Sequence, residues 1–190
     1  MDLYRAVPSR QFQAELILRR IPTARLPSNV PYLVDNLWEY ARPLHLPSRR
    51  NAVYASPSPE LALKNASAAI DADDRYMACR IEFGFDPPVI QLSVPDARDH
   101  PDLKNLQRLV TQRLQQKGIS GLTAMMPCAA LFLPGVTKAE LQASMAASSL
   151  LADLVNEAVS IVRLWDSAPA PDGELFFEIA DDNHYVLRPV

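Results

Sequence analysis

Glycine is scarce in this chain, with five among 190 residues. A backbone cradle for phosphate needs several glycines at fixed spacing, so that the chain can approach the ligand closely. None of the patterns G-x-x-x-x-G-K-[ST], G-x-G-x-x-G or G-x-S-x-G occurs, which excludes glycine-rich nucleotide loops and a nucleophile elbow. An anionic ligand would have to be held by arginine or by a helix N-terminus. Histidine is equally thin: His45, His100 and His184 stand apart, none with a Cys or His neighbour at ligand spacing. That argues against a metal site. Cys79 and Cys128 lie in apolar surroundings without paired spacing, and read as buried free thiols of a reducing compartment. Long apolar runs are missing too, so no membrane span is expected, and the first residues carry no signal-peptide pattern. A cytoplasmic setting, in the producing cell or in a target cell, is the expectation. An excess of one charge is also lacking. A net charge of −3 is too mild for nucleic acid to be the main partner.

What is present is an apolar chain, 48% hydrophobic and 22% charged, of a size that builds one core without staples. Seventeen prolines punctuate it. There is no repeat, and "SAPAPDG" (167–173) is the longest candidate linker, so a single domain over 1–190 is expected. "DLYRAV" (2–7) reads as a strand and "PSRQFQAELILRR" (8–20) as an amphipathic helix, with Phe12 and Leu16 on its face and Arg19 and Arg20 at its end. "VPYLVDNLWEYA" (30–41) is a helix opened by Pro31. "NAVYA" (51–55) is a strand, followed by a helix over "SPELALKNASAAI" (58–70) with Ser58 as its N-cap and Pro59 at its first position. "RYMACRIEFGF" (75–85) and "PPVIQLS" (87–93) read as strands. "DLKNLQRLVTQRLQQKG" (102–118) is a helix striped by Leu103, Leu106, Val110 and Leu114 and ended by Gly118. "CAALFLPG" (128–135) reads as a short buried strand. Residues 137–165 open with a capping box, Thr137 to Glu140, and continue as one long helix or two. "ELFFEI" (174–179) and "HYVLRPV" (184–190) read as two strands around the turn "ADDN", a closing hairpin. Strands and helices are interspersed without strict alternation, so the class is α+β, with two small sheets or one bent sheet.

Three short stretches carry chemistry. Arg5 sits between Leu3, Tyr4 and Val7 on a strand that ought to be interior. A half-buried guanidinium needs a partner, either a carboxylate in an ordinary salt bridge or a bidentate phosphate. Tyr54 ends a strand, with Ser56 and Ser58 at the corner and a helix N-terminus behind them. In "PDGELFFEI", Asp172 and Glu174 stand two apart and project from the same side. Glu178 lies at even spacing from Glu174 and is its competitor.

Taken in order, these stretches resemble the ADP-ribosyltransferase superfamily of the arginine-serine-glutamate type. That type carries an aromatic-Arg pair on its first strand, a strand ending Ser-Thr-Ser, and Glu-x-Glu before a late strand. Here "LYRA", "VYASPS" and "DGELFF" stand in those places, with Glu174 matching the invariant glutamate. Pro57 replaces the middle Thr, and Asp172 replaces the first Glu or Gln, so the identity of the acceptor does not carry over. The middle block "SRRNAVYASPSPELAL" (48–63) is also similar to the RES-type NAD-consuming toxins. That family's acidic residue in the next helix would fall near Lys64 or Asn65, where this chain has none.

The resemblance implies split sheets flanked by helices and NAD as a substrate, with no metal. It implies a carboxylate, Glu174, that accepts from the ribose 2′-OH as charge develops at C1′. Arg5 would clamp the pyrophosphate, Tyr54 would stack on nicotinamide, and Ser56 would orient Glu174, with Ser58 beside it. In the RES-type reading Arg49 or Arg50 contacts NAD. The expected partners are a macromolecular acceptor, a protein first of all, and an antitoxin or inhibitor. The activity is a toxin's, an effector's or a phage-encoded modifier's. A catalytically silent binding protein on the same scaffold is the reading from another class.

Overall fold

The computed structural model describes residues 2–12, 16–19, 26–27, 29–67 and 75–190. Contacts divide the chain into two compact units, one of residues 1–23, 45–96 and 168–190 and one of residues 24–44 and 97–167.

The first unit is α+β and holds every described strand. Strands β1 (Tyr4–Pro8), β4 (Tyr76–Phe83), β7 (His184–Pro189) and β2 (Leu16–Arg19) form one antiparallel sheet in the order β1-β4-β7-β2. Strands β3 (Val53–Ala55), β6 (Leu175–Phe177) and β5 (Val89–Gln91) form a second, in the order β3-β6-β5. Leu3, Val7, Ile81, Tyr185 and Leu187 pack into one core with Val53, Ala55, Leu175 and Phe177. Residues of both sheets thus bury their apolar side chains together. Helix α2 (Pro59–Ser67) packs on β1 and β4. Ser58 caps it as expected, its hydroxyl accepting from the Leu61 N–H at 3.2 Å.

Two expectations fail in this unit. Where a helix is expected over 8–20, β1 runs on to Pro8, a single 3-10 turn follows at Ser9–Gln11, and Leu16–Arg19 is a strand. Leu16 and Leu18 turn toward the core while Ile17 and Arg19 face out, which is the period of a strand. Pairing with β7, Leu16 opposite Leu187 and Leu18 opposite Tyr185, outweighs the helical propensity of "QAELILRR". Residues 13–15 and Arg20 of that stretch lie outside the described residues, as do 68–70 at the end of the expected helix 58–70. The closing hairpin also does not form. β6 lies between β3 and β5, so both its edges are taken, and β7 lies between β4 and β2 in the other sheet.

The second unit is helical: α1 (Tyr32–Ala41), α3 (Asp102–Gln116), α4 (Leu122–Met125), α5 (Lys138–Ala147) and α6 (Ser149–Ser160). Helix α1 is buried from Leu33 to Trp38 and packs against α3, α5 and α6. Leu106, Val110 and Leu114 face inward as their spacing predicts. The capping box of Thr137 and Glu140 is formed. Ser148 then breaks the 137–165 stretch in two by capping α6, accepting from the Leu151 N–H at 3.2 Å. "CAALFLPG" is not a strand: Met126–Leu131 is 3-10 helix with proline in its first turn. Its carbonyl ends are collected by the buried Asn36, whose amide donates to Leu131 at 3.0 Å and Leu133 at 2.8 Å. Asp102, 1% exposed, accepts from the Trp38 indole and from the Arg163 and Leu164 amides, all within 3.0 Å. Among the described residues no helix is long and apolar enough to cross a membrane.

Candidate functional site

The site lies within the first unit, and its frame is a crossing of backbones. Tyr4 pairs with Arg80 of β4 and also exchanges two hydrogen bonds with Ser56 just past β3, at 2.9 and 2.8 Å. The first strand is thereby tied to both sheets. Beside this bridge opens a cleft of about 160 Å³, walled by Tyr4, Arg5, Tyr54, Ser56, Asn65 and Glu174 among others. Three segments far apart in sequence supply those walls.

Glu174 reaches the cleft because of the glycine before it. A Cβ on Gly173 would stand 1.9 Å from the Leu92 carbonyl oxygen and 3.0 Å from that of Ala170, so only glycine lets the two chains pass. The Gly173 N–H donates to the Ala170 carbonyl at 2.9 Å. Glu174 exchanges backbone bonds with Leu92 and Val94, each of 2.8 Å. The carboxylate therefore hangs from a fixed backbone at the start of β6, its side chain 14% exposed.

Arg49 meets it there. Its Nη1 donates to Glu174 Oε2 at 3.0 Å, and the residue is 7% exposed. The guanidinium lies 5.1 Å from the centre of the Tyr54 ring and 5.4 Å from that of Phe176. These are cross-strand partners of β3 and β6, and such cation–aromatic contacts add attraction in a desolvated setting. The Tyr54 hydroxyl donates to the Arg49 carbonyl at 2.7 Å, which ties the 48–50 turn back onto the strand. The two arginines that are equivalent in the sequence are thus separated. Arg50 is buried, its backbone N–H donating to the Ser48 hydroxyl at 3.3 Å, and it does not wall the cleft.

Arg5 does line the cleft. Its Nη1 donates to the Tyr185 hydroxyl at 2.7 Å, so its described partner is neither phosphate nor carboxylate. Opposite Arg5 on β4 stands Cys79, whose thiol burial pushes up from its ordinary value. Ser56 is buried on the cleft wall, but its hydroxyl accepts from the Asn65 amide at 3.3 Å. The expected bond from Ser56 to Glu174 is not formed; the carboxylate is met by Arg49 instead. Ser58 serves as the helix cap and is not on the wall. Glu60 beside it is held below the usual carboxylate range, chiefly by a hydrogen bond from its own backbone amide and then by the Ser58 hydroxyl.

Asp172 is exposed in the turn before Gly173, and it does not share the cleft with Glu174. Residues 171–172 are turn and the strand begins only at Leu175, so the two-residue alternation that would align the acids does not apply. Glu178, past the end of β6, is half-buried and also off the wall. Among the described residues no group of three or more His, Cys, Asp or Glu could hold a metal ion.

Sequence reasoning missed three participants: Tyr185 as the partner of Arg5, Asn65 as the partner of Ser56, and Arg49 as the partner of Glu174. Arg5 and Tyr185 are separated by 180 residues, and Arg49 and Glu174 by 125. No local spacing announces such pairs. Only the aromatic-basic composition of 48–54 hints that an arginine is stacked there.

Chemically the cleft wall carries a carboxylate, a guanidinium, an aromatic ring and small hydroxyl and amide groups. It can accept a hydroxyl proton on one side and hold anionic oxygens on the other. No family model, no curated protein and no solved structure matches this chain.

Proposed function

We propose that the cleft binds and consumes NAD, and that the chain is a mono-ADP-ribosyltransferase acting on a macromolecule, with an ADP-ribosyltransferase-like arrangement of its split sheets. The observation that carries this reading is the convergence of Arg5, Tyr54, Ser56 and Glu174 on one cleft. These are the residues of "LYRA", "VYASPS" and "DGELFF" through which the sequence resembles that superfamily. A cleft of about 160 Å³ is smaller than a site that encloses a whole ligand of drug size. It fits the nicotinamide–ribose end, with the rest of the dinucleotide lying across its rim.

In this reading the bond between nicotinamide and ribose C1′ breaks, the electron pair leaves with the nicotinamide nitrogen, and positive charge spreads over C1′ and the ring oxygen. Glu174 accepts from the ribose 2′-OH and stabilises that charge as it develops. Arg5, set by Tyr185, offers its fork to the pyrophosphate. Tyr54 covers the ring. A nucleophile of the acceptor then closes on C1′ and gives up its proton to solvent.

The presence of Tyr54, from the block similar to the RES-type toxins, on the same cleft as Glu174 supports a second reading, an NAD glycohydrolase or phosphorylase of that type, in which water or phosphate takes the acceptor's place. Either activity is harmful unless aimed, which fits a toxin or effector held in check by an inhibitory partner. NAD labelled in its adenylate moiety, incubated with the protein with and without cell lysate, separates the two. Label fixed on a lysate macromolecule is the result expected of the transferase. Free labelled ADP-ribose without lysate identifies the hydrolase. An intact nucleotide in both tubes, with no binding by calorimetry, would overturn both in favour of a silent scaffold.

A further inference from the structure

Resting on that reading, we infer that Arg49 is the positioning residue for Glu174, taking the part that a serine hydroxyl would otherwise play, and that it is not a ligand-binding residue. Four observations carry this. Arg49 is 7% exposed and absent from the cleft wall, whereas Glu174 and Tyr54 are on it. Its guanidinium lies against two aromatic rings belonging to paired strands. Its carbonyl is tied by the Tyr54 hydroxyl at 2.7 Å. Its Nη1 ends on Glu174 Oε2 at 3.0 Å. The Ser56 hydroxyl, on the same wall, accepts from Asn65 and makes no bond to Glu174.

A guanidinium held over two aromatic rings and by a charge-assisted hydrogen bond has little freedom to turn. It therefore holds the carboxylate in place too, on the cleft wall before a ligand arrives. The same contact explains the "RRN" before β3. Arg49 is used for geometry at the carboxylate, and Arg50 is buried within the turn.

A positioning residue acts only through the group it positions, and a double-mutant cycle reads this directly. NAD turnover and NAD affinity are measured for wild type, Arg49→Met, Arg49→Lys, Glu174→Gln and the Arg49→Met/Glu174→Gln double variant, with thermal melting as the check on folding. In the wild-type background Arg49→Met is expected to lower kcat by ~10–100-fold, on the scale of misplacing a preorganised group, with KM changed by less than about twofold. Arg49→Lys keeps the charge and loses the fork and the stacking, so it should recover part of the rate. In the Glu174→Gln background the Met substitution should cost nothing further. Should Arg49→Met unfold the chain, the Lys variant alone decides through its split between kcat and KM. A rise in KM or Kd of similar size in both backgrounds, or in the Lys variant with kcat unchanged, would overturn the inference and make Arg49 a direct NAD contact. Absence of turnover by the wild type itself would defeat the underlying reading, a distinct failure.

Discussion

Tyr185 is 2% exposed and its ring meets Phe177 edge to face at 5.7 Å, so its side chain is anchored by packing. Its hydroxyl is the acceptor for Arg5. Tyr185→Phe keeps the packing and releases the guanidinium. A hydrogen bond of this kind contributes about 0.5–1.5 kcal/mol net, so NAD affinity should fall roughly 2–10-fold, as read by calorimetry, with the melting temperature little changed. An unchanged affinity would remove Arg5 from the ligand's contacts. At this scale the candidate site was legible in part. Arg5, Tyr54, Ser56 and Glu174 stand out because a charged or hydroxyl-bearing side chain beside an apolar strand calls for a reason. Their partners were not legible, since a hydrogen-bond partner is set by the tertiary approach of strands. Asp172 misled because it shares the spacing of a strand while its backbone is in a turn.

Elements were legible where one period dominates and the ends are marked. The stripe of α3, closed by Gly118 at φ 66°, and the capping boundary at Thr137 follow from residue chemistry alone. The stretch 8–20 fails because helical spacing competes with an available sheet edge, and β7 offers that edge. "CAALFLPG" fails because a short apolar run has no period of its own, and Pro127 directs it to a 3-10 turn. The hairpin does not form because β6 and β7, adjacent in sequence, each have both edges paired within different sheets. The strand that follows Glu174, β6, is placed by Gly173. Gly173→Ala would drive a Cβ into the Leu92 carbonyl, and the expected loss is ~1–3 kcal/mol or more in a denaturant titration. NAD turnover should fall with it, because Glu174 moves with that backbone. Wild-type stability in this variant would mean that residues 170–174 adapt freely, against the close approach described here.

For the molecule as a whole, the two thiols form a convenient pair of reporters, because Cys79 belongs to the first unit and Cys128 to the second and both are fully buried. Burial raises both thiols above their ordinary value of 9.0. Because the folded value is the higher one, their contribution to stability is present below the ordinary value and is lost as pH rises through the folded one. Both cysteines should resist an aqueous thiol reagent in the native protein, react at once in denaturant, and be labelled at rates that report the opening of each unit separately. Rapid labelling of Cys79 under native conditions would contradict the packed core beneath Arg5. The central claim, that Glu174 serves NAD cleavage in this cleft, is tested most directly by turnover of labelled NAD by wild type beside Glu174→Gln. If the carboxylate acts in the transition state, kcat falls by ~10²–10³ while NAD affinity is nearly unchanged. Equal turnover by the two proteins would contradict the account.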